Sequence, residues 1–139
     1  MNHSNAVLSN TLPNDYPAIK DKRAGIQDMG SQLVAEIFYA TKSEHPLKWL
    51  DLCAGPGGKA ALLHNLLQTN DPKDTFLANE PTAHRAELVA RVVPKAKIVS
   101  FDGRDWESFG EKFDRILIDA PVLVWAHCAA DRRLDGAGL

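Results

Sequence analysis

The stretch LDLCAGPGGKAALL, residues 50–63, constrains the fold of this chain more than any other. An apolar run typical of a buried strand, 47–53, ends in three glycines and a proline, and a segment with a helical apolar face, 57–68, follows. Glycines at such a junction let the backbone approach a ligand, and the helix N-terminus offers unpaired N–H groups. The stretch therefore predicts a ligand-binding turn between a strand and a helix.

The remaining apolar patterns predict an alternation of strands and helices. Helices are expected at 30–41, 57–68 and 82–93, and strands at 47–53, 74–80, 96–102 and 113–121. The alternation predicts an α/β fold with a parallel sheet, and right-handed crossovers would order its strands 3-2-1-4. Ser31 is a candidate cap of the first helix, and the polar residues 1–24 are predicted to be a flexible arm.

Acidic residues lie at or near the carboxyl ends of all four predicted strands. They are Asp51, Glu80, Asp102 and Asp119. In open parallel sheets ligands bind beyond these ends, where the strand order reverses. We therefore expect the four carboxylates to surround the ligand of the glycine turn.

Three classes of ligand-binding turn compete as interpretations of this stretch. A P-loop is excluded because Ala60 follows Gly58-Lys59 where a hydroxyl residue is needed. Gly55, Gly57 and Ala60 fit the relaxed dinucleotide fingerprint, so a nicotinamide cofactor stays open. S-adenosylmethionine is favoured, since Asp51 would attract its cationic groups and repel a pyrophosphate. Glu80 could then accept bonds from the ribose hydroxyls, and Asp102 could bond the adenine amino group.

Composition limits the other possibilities. The chain has 139 residues and a net charge of −2, so no global basic field indicates a nucleic acid. Cys53 and Cys128 are too few for a disulfide framework, and neither a signal peptide nor a membrane span is visible. The histidines show no metal-ligand spacing. We expect a cytoplasmic protein with no metal and no membrane partner.

Several motifs resemble one family. LDLCAGPGGKAALL resembles the Cys-Ala-x-Pro-Gly-Gly-Lys motif of the Sun/Fmu (RsmB-like) RNA cytosine-5 methyltransferases. Similar to further motifs of that family, in the same order, are GIQDMGSQLVA (25–35), ANEPTAHRAELVARVV (78–93), FDGRDW (101–106) and FDRILIDAP (113–121). The resemblance implies a Rossmann-like class I methyltransferase domain over residues 25–121.

The resemblance also implies roles for individual residues. Glu80 would hold the cofactor's ribose with Arg85 in support, and Asp102 would meet the adenine. Asp119 would lie beside the methyl donor and the target base, and Lys59 would point into the active site. The turn that wraps the methionine end would comprise Cys53, Ala54, Gly55, Pro56, Gly57, Gly58 and Lys59. The implied cofactor is S-adenosylmethionine, and the implied partner is RNA, by resemblance ribosomal.

The sequence departs from the family at the nucleophile. Family members carry a cysteine directly after Asp-Ala-Pro and an attacking cysteine on the next strand, whereas Val122 follows Pro121 here. Cys128 beside His127 is a poor substitute, because adjacency in sequence is not hydrogen-bond geometry. The chain alone is therefore predicted to be inactive, with Lys59 and Asp119 as supporting groups, and a non-catalytic cofactor-binding or scaffold role stays open.

The last eighteen residues, 122–139, are predicted to be a tail foreign to the family. Read off-frame through ordinary codons, they resemble what the family places after its Asp-Ala-Pro-Cys, which suggests a frameshift. The sheet would then be incomplete on its C-terminal side. Strand 113–119 would be an exposed edge, and exposed edges promote self-association.

Overall fold

The computed structural model describes residues 15–21, 24–41, 44 and 46–120. Its elements in chain order are α1 (Pro17–Lys20), α2 (Met29–Ala40), β1 (Lys48–Asp51), α3 (Gly58–Asn70), β2 (Thr75–Asn79), α4 (Ala83–Val92), β3 (Lys97–Val99), a 3₁₀ helix (Trp106–Phe109) and β4 (Arg115–Leu117). The predicted tail 122–139, with Cys128, lies outside the described residues, as does most of the predicted arm.

The four strands form one parallel sheet in the order β3-β2-β1-β4, which confirms the predicted α/β topology. Each strand is shorter than predicted. At the carboxyl end of β1, for example, Leu52 and Cys53 already belong to the turn. Apolar residues that line a ligand turn extend the apparent strand in the sequence, because burial and strand pairing produce the same apolar pattern.

The described residues form two core clusters: Ala54, Ala60 and Ala78 pack with Val89 and Val93, and a second cluster surrounds Trp49. Trp49 is fully buried and packs with Leu63 and Leu67 of α3. Its indole Nε1 donates to the carboxylate of Asp74 at 2.8 Å, so the buried ring has a hydrogen-bond acceptor. Asp74 directly precedes β2, so this hydrogen bond ties the start of β2 to β1.

Helix α2 is capped by Asp28, so the expectation of a Ser31 cap is wrong. The backbone of Asp28 is extended, and its carboxylate accepts from the Ser31 backbone N–H at 2.8 Å. Because Asp28 lies three residues before Ser31, it is the residue whose oxygen can reach the unpaired N–H groups of the first turn. Phe38 of α2 then packs edge-to-face on Trp49, with ring centroids 5.2 Å apart.

The described part of the predicted arm contains one helical turn, α1, which sequence reasoning did not anticipate. Pro17 occupies its first position, where a missing N–H carries no cost. None of its residues is buried. Among the described helices, none has the length and apolar character needed to cross a bilayer.

Candidate functional site

The glycine turn joins β1 to α3 at the carboxyl edge of the sheet. Gly57 caps α3 with a φ of 110°, a left-handed conformation that side chains rarely adopt. A β-carbon at Gly57 would also collide with Val92 of α4. At Gly58 there is room, since the nearest atoms, of Gln27, would lie 3.7 Å from an added β-carbon. The turn is therefore held close to α4, and α3 begins directly after the turn that follows β1.

Glu80 and Arg85 fasten the turn to the end of β2. The buried Glu80 carboxylate accepts from the Gly55 N–H at 3.2 Å and from the Thr82 N–H at 3.0 Å. The Arg85 guanidinium donates to the Gly55 carbonyl at 2.8 Å and lies 3.5 Å from Glu80. Carboxylate oxygens have further lone pairs, so Glu80 can hold the turn and still accept from a ligand.

Asp51 is a buried carboxylate at the end of β1. It is 1% exposed, and the Cys53 N–H donates to it at 3.3 Å. Burial raises the pKa of Asp51 to about 6, and the negative charges of Asp119 and Glu80 add to this while Lys59 opposes it. A cationic group placed beside Asp51 would favour its ionised form. The site is thus suited to a ligand that carries positive charge.

Lys59 and Asp119 form an ion pair beside the turn. The Lys59 Nζ lies 2.7 Å from an Asp119 carboxylate oxygen. Lys59 belongs to the first turn of α3, and Asp119 follows β4, so the pair links the turn to the edge strand. The two predicted supporting groups are therefore brought together, on the side of the turn opposite Glu80.

Asp102 lies after β3, and its carboxylate is hydrogen-bonded to Arg104. Its carboxylate accepts from the Arg104 guanidinium at 2.6 and 3.0 Å and from the Arg104 backbone N–H at 3.0 Å. These bonds hold the pKa of Asp102 well below its usual range. Its predicted contact with an adenine stays a prediction, and such a contact would share the carboxylate with Arg104.

Cys53 and Ala54 contribute to the turn through their backbones. The Ala54 N–H donates to the Asn79 carbonyl at 2.9 Å, and Ala54 is buried. Burial, with the negative charge of Asp51, raises the pKa of the Cys53 thiol. The thiol is therefore protonated at neutral pH, which is the opposite of what a nucleophilic cysteine requires.

Asn79 is a site residue that sequence reasoning missed. It is fully buried at the end of β2, where its Nδ2 donates to the Leu52 carbonyl at 3.0 Å and the Phe101 carbonyl at 3.2 Å. Its Oδ1 accepts from the Phe101 N–H at 2.9 Å. The signal was present, because a polar residue at the end of a buried strand needs partners. Asn79 joins the loops that follow β1 and β3 and so fixes the floor of the site.

Comparison with known proteins identifies a family pattern over most of the chain. The family model of the 16S rRNA methyltransferases RsmB/F matches residues 37–133, a range that runs past Pro121. A Mycobacterium tuberculosis protein named as a methyltransferase is 43% identical over 113 residues, 78% of this chain and 24% of its own. Ribosomal RNA small subunit methyltransferase B of Shewanella oneidensis is 34% identical over 111 residues, 76% of this chain and 24% of its own.

A solved structure agrees with these relatives. NSun6 from Pyrococcus horikoshii with SFG superposes with a TM-score of 0.67 at 25% identity, over 80% of this chain and 29% of that chain. The predicted Rossmann-like class I methyltransferase fold is thereby confirmed. The chain spans about a quarter of the length of the curated relatives it matches, since each match covers 24% of the relative.

Proposed function

Because this chain belongs to the RsmB/F family of 16S rRNA methyltransferases, we propose that it binds S-adenosylmethionine at the carboxyl ends of its strands. One observation carries the proposal. The buried Asp51 carboxylate lies beside a glycine turn that opens α3, so one site offers a negative charge and unpaired N–H groups. S-adenosylmethionine presents cationic sulfonium and ammonium groups together with a carboxylate, and this combination matches both features.

The residues present fit this cofactor. The N–H groups of the turn and of α3 would hold its carboxylate, and Asp51 would lie towards its positive charge. Glu80 would accept from the ribose, while Arg85 keeps Glu80 and Gly55 together. Asp102 would meet the adenine. When bound, the cofactor supplies an electrophilic methyl group, and the protein's part is to hold it and to exclude other orientations.

We propose that this chain alone does not methylate cytosine at carbon 5. That carbon becomes nucleophilic only after a thiolate adds at carbon 6 of the ring. The family resemblance expects a cysteine after Asp119-Ala120-Pro121, where the sequence has Val122. The raised pKa of Cys53 keeps the described thiol protonated. Lys59 and Asp119 would remain as groups that face the methyl donor, so a cofactor-binding role without catalysis fits these residues best.

The proposal includes a partner and a location. Since the matching family and the Shewanella oneidensis relative are named as rRNA methyltransferases, we propose ribosomal RNA as the macromolecular partner and the cytoplasm as the place of action. The predicted self-association through strand 113–119 is part of the proposal as well.

Photo-crosslinking with tritium-methyl S-adenosylmethionine tests the binding proposal. We expect ultraviolet light to attach label to the chain and Glu80→Ala to abolish the attachment. Glu107→Ala, which removes an exposed carboxylate from the 3₁₀ helix, is the matched control and should label normally. Equal labelling of both variants would contradict the proposed site. In the same preparation, transfer of the tritium-methyl group to unmodified 16S rRNA would contradict the proposed lack of catalysis.

A further inference from the structure

A cavity of about 420 Å³ lies at the amino-terminal edge of the sheet. Lys48, Thr75 and Lys97, the first residues of β1, β2 and β3, contribute to its lining. His64 and Gln68 of α3 line it as well. The glycine turn lies at the opposite, carboxyl edge of the same strands. The cavity is therefore separate from the proposed cofactor site.

A second cavity, of about 240 Å³, adjoins the first. His64, Gln68 and Lys95 line both cavities, so together they form one groove beside α3. The far end of this groove is mostly apolar and carries one amide, its residues being Ala61, Asn65, Val92, Val93 and Pro94. Small-molecule sites have volumes of about 300–1,000 Å³, so the groove has room for a small ligand.

The first cavity has a lysine-rich end in which the carboxylates are already engaged. The Glu111 carboxylate lies 2.9 Å from the Lys48 Nζ and 3.8 Å from the Lys97 Nζ, so it serves two ammonium groups. Asp74, the other acid in the lining, accepts from the Trp49 indole at 2.8 Å and from a backbone N–H at 2.9 Å. Neither carboxylate is therefore available to a further lysine.

Lys95 supplies the excess positive charge of the groove. Among the described residues, no carboxylate lies within ion-pair distance of it. Burial lowers the pKa of His64, and the charge of Lys95 lowers it further. The His64 ring, 5.7 Å from that of Phe76, is thus neutral at pH 7. An anion in the groove would pair with Lys95 and would favour the charged form of His64.

We infer that the groove binds a nucleotide, with its phosphates at the lysine-rich end and its base at the apolar end. The phosphates supply the anion that Lys95 and Lys97 can share. The amides of Asn65 and Gln68 can bond the edge of a base that packs on Val92, which is 52% exposed. Free nucleotides and the nucleotide units of RNA have this chemistry in common. The inference is independent of cofactor binding, because the groove and the glycine turn lie at opposite edges of the sheet.

Histidine NMR locates the site. Uridine triphosphate is the free-nucleotide probe, because a pyrimidine avoids competition at a site proposed for an adenosine. We expect it to shift the signals of His64 and to raise the pKa of that imidazole, since bound phosphates favour the imidazolium form. His84, exposed at the start of α4 beside the carboxyl edge, is the internal control and should keep its signals. Unchanged His64 signals at millimolar uridine triphosphate, or larger shifts at His84, would overturn the inference.

Charge-matched variants test the lysine. Lys95→Gln should weaken the binding of uridine triphosphate about tenfold, which is the usual effect of losing one charged hydrogen bond. Lys20→Gln is the matched control, because it removes the same charge from the exposed last turn of α1. It should bind as the parent chain does, and circular dichroism should show that both variants fold. Equal affinities in the two variants would contradict the proposed phosphate position.

A short oligouridylate distinguishes the two sources of the nucleotide. If the ligand is an RNA strand, the oligomer should bind more tightly than uridine triphosphate and lose affinity in Lys95→Gln. If the ligand is a free nucleotide, uridine triphosphate should bind more tightly than the oligomer. Binding of both probes that Lys95→Gln leaves unchanged would place them elsewhere on the chain and would rule out the groove.

Discussion

A β-carbon on Gly55 would overlap the carboxylate of Glu80, which lies at the end of the neighbouring strand. The same added atom would lie 2.9 Å from the Arg85 guanidinium. The turn after β1 and the acidic end of β2 are thus packed backbone against side chain. A ligand that accepts or donates at Glu80 would lie beside the turn, and this proximity is the structural basis of the proposed cofactor site.

Gly55→Ala should therefore damage both the fold and the site. The added methyl group must displace Glu80 or Arg85, and overpacking of this kind costs about 1–3 kcal/mol. Urea denaturation should show the loss, and cofactor binding should disappear. Gly58→Ala is the matched control, because its added carbon makes an ordinary contact with Gln27 at 3.7 Å. Equal stability losses in the two variants would contradict the packing argument.

Asp51→Asn should stabilise the chain at neutral pH. Burial raises the folded-state pKa of Asp51 to about 6, above its value in the unfolded chain. The contribution of the neutral Asp51 carboxyl to the free energy of unfolding is therefore fully present below about pH 4, and it is lost as pH rises through about 6. Asparagine cannot ionise, so the variant should gain about 2–3 kcal/mol over the parent chain at pH 7 and little at pH 4. Urea denaturation of both proteins across this range measures the difference.

If the stability gain of Asp51→Asn over the parent chain were independent of pH, it would contradict a pKa of Asp51 that is raised by burial. Every other titrating group is common to the variant and the parent chain, so the pH dependence of their stability difference reports on Asp51. The same exchange should abolish cofactor binding, because the charge that attracts the cationic groups is gone. A site residue that costs stability is expected where function requires a buried charge.

Substitutions in the Lys59–Asp119 pair should move the Asp51 pKa in opposite directions. Lys59→Met removes a positive charge that lowers the pKa, so the midpoint should rise. Asp119→Asn removes a negative charge that raises it, so the midpoint should fall. Carbon-13 NMR titration of labelled aspartate carboxyls measures both shifts without any ligand. Shifts of the same sign in the two variants would contradict the proposed arrangement of charges.

Asn79→Ala should be strongly destabilising. It removes three hydrogen bonds and leaves the half-buried Phe101 N–H without its acceptor, which costs about 3 kcal/mol. Asn70→Ala is the matched control, because Asn70 is exposed at the end of α3 and donates to the Leu66 carbonyl. Its stability should change by less than about 0.5 kcal/mol. Thermal unfolding that shows similar losses in both variants would remove Asn79 from the floor of the site.

The sequence predicted the strand order because strands and helices alternate along the chain. Such an alternation favours a parallel sheet, and right-handed crossovers then order its strands. It also predicted that the residues of the turn and Glu80 meet, since both lie at the carboxyl ends of paired strands. The Lys59–Asp119 pair follows from the same geometry across the other side of β1.

The cap of α2, the hydrogen bonds of Asp102 and the exposed face of α2 could not be predicted from the sequence. Asp28 and Ser31 are both good capping residues, and only the backbone conformation decides between them. The bonds of Asp102 to Arg104 depend on a loop conformation that has no periodic signal. Leu33 and Ile37 have the helical spacing of core residues, yet α2 exposes them, because spacing defines a face without stating what covers it.

Calorimetric titration of the purified chain tests the central claim most directly. The ligands are S-adenosylmethionine, its demethylated product S-adenosylhomocysteine, and NAD as the competing dinucleotide. The account predicts micromolar binding of the first two, loss of both in Glu80→Ala, and no heat from NAD. Binding of NAD alone, or no binding of any ligand by a folded sample, would contradict the account.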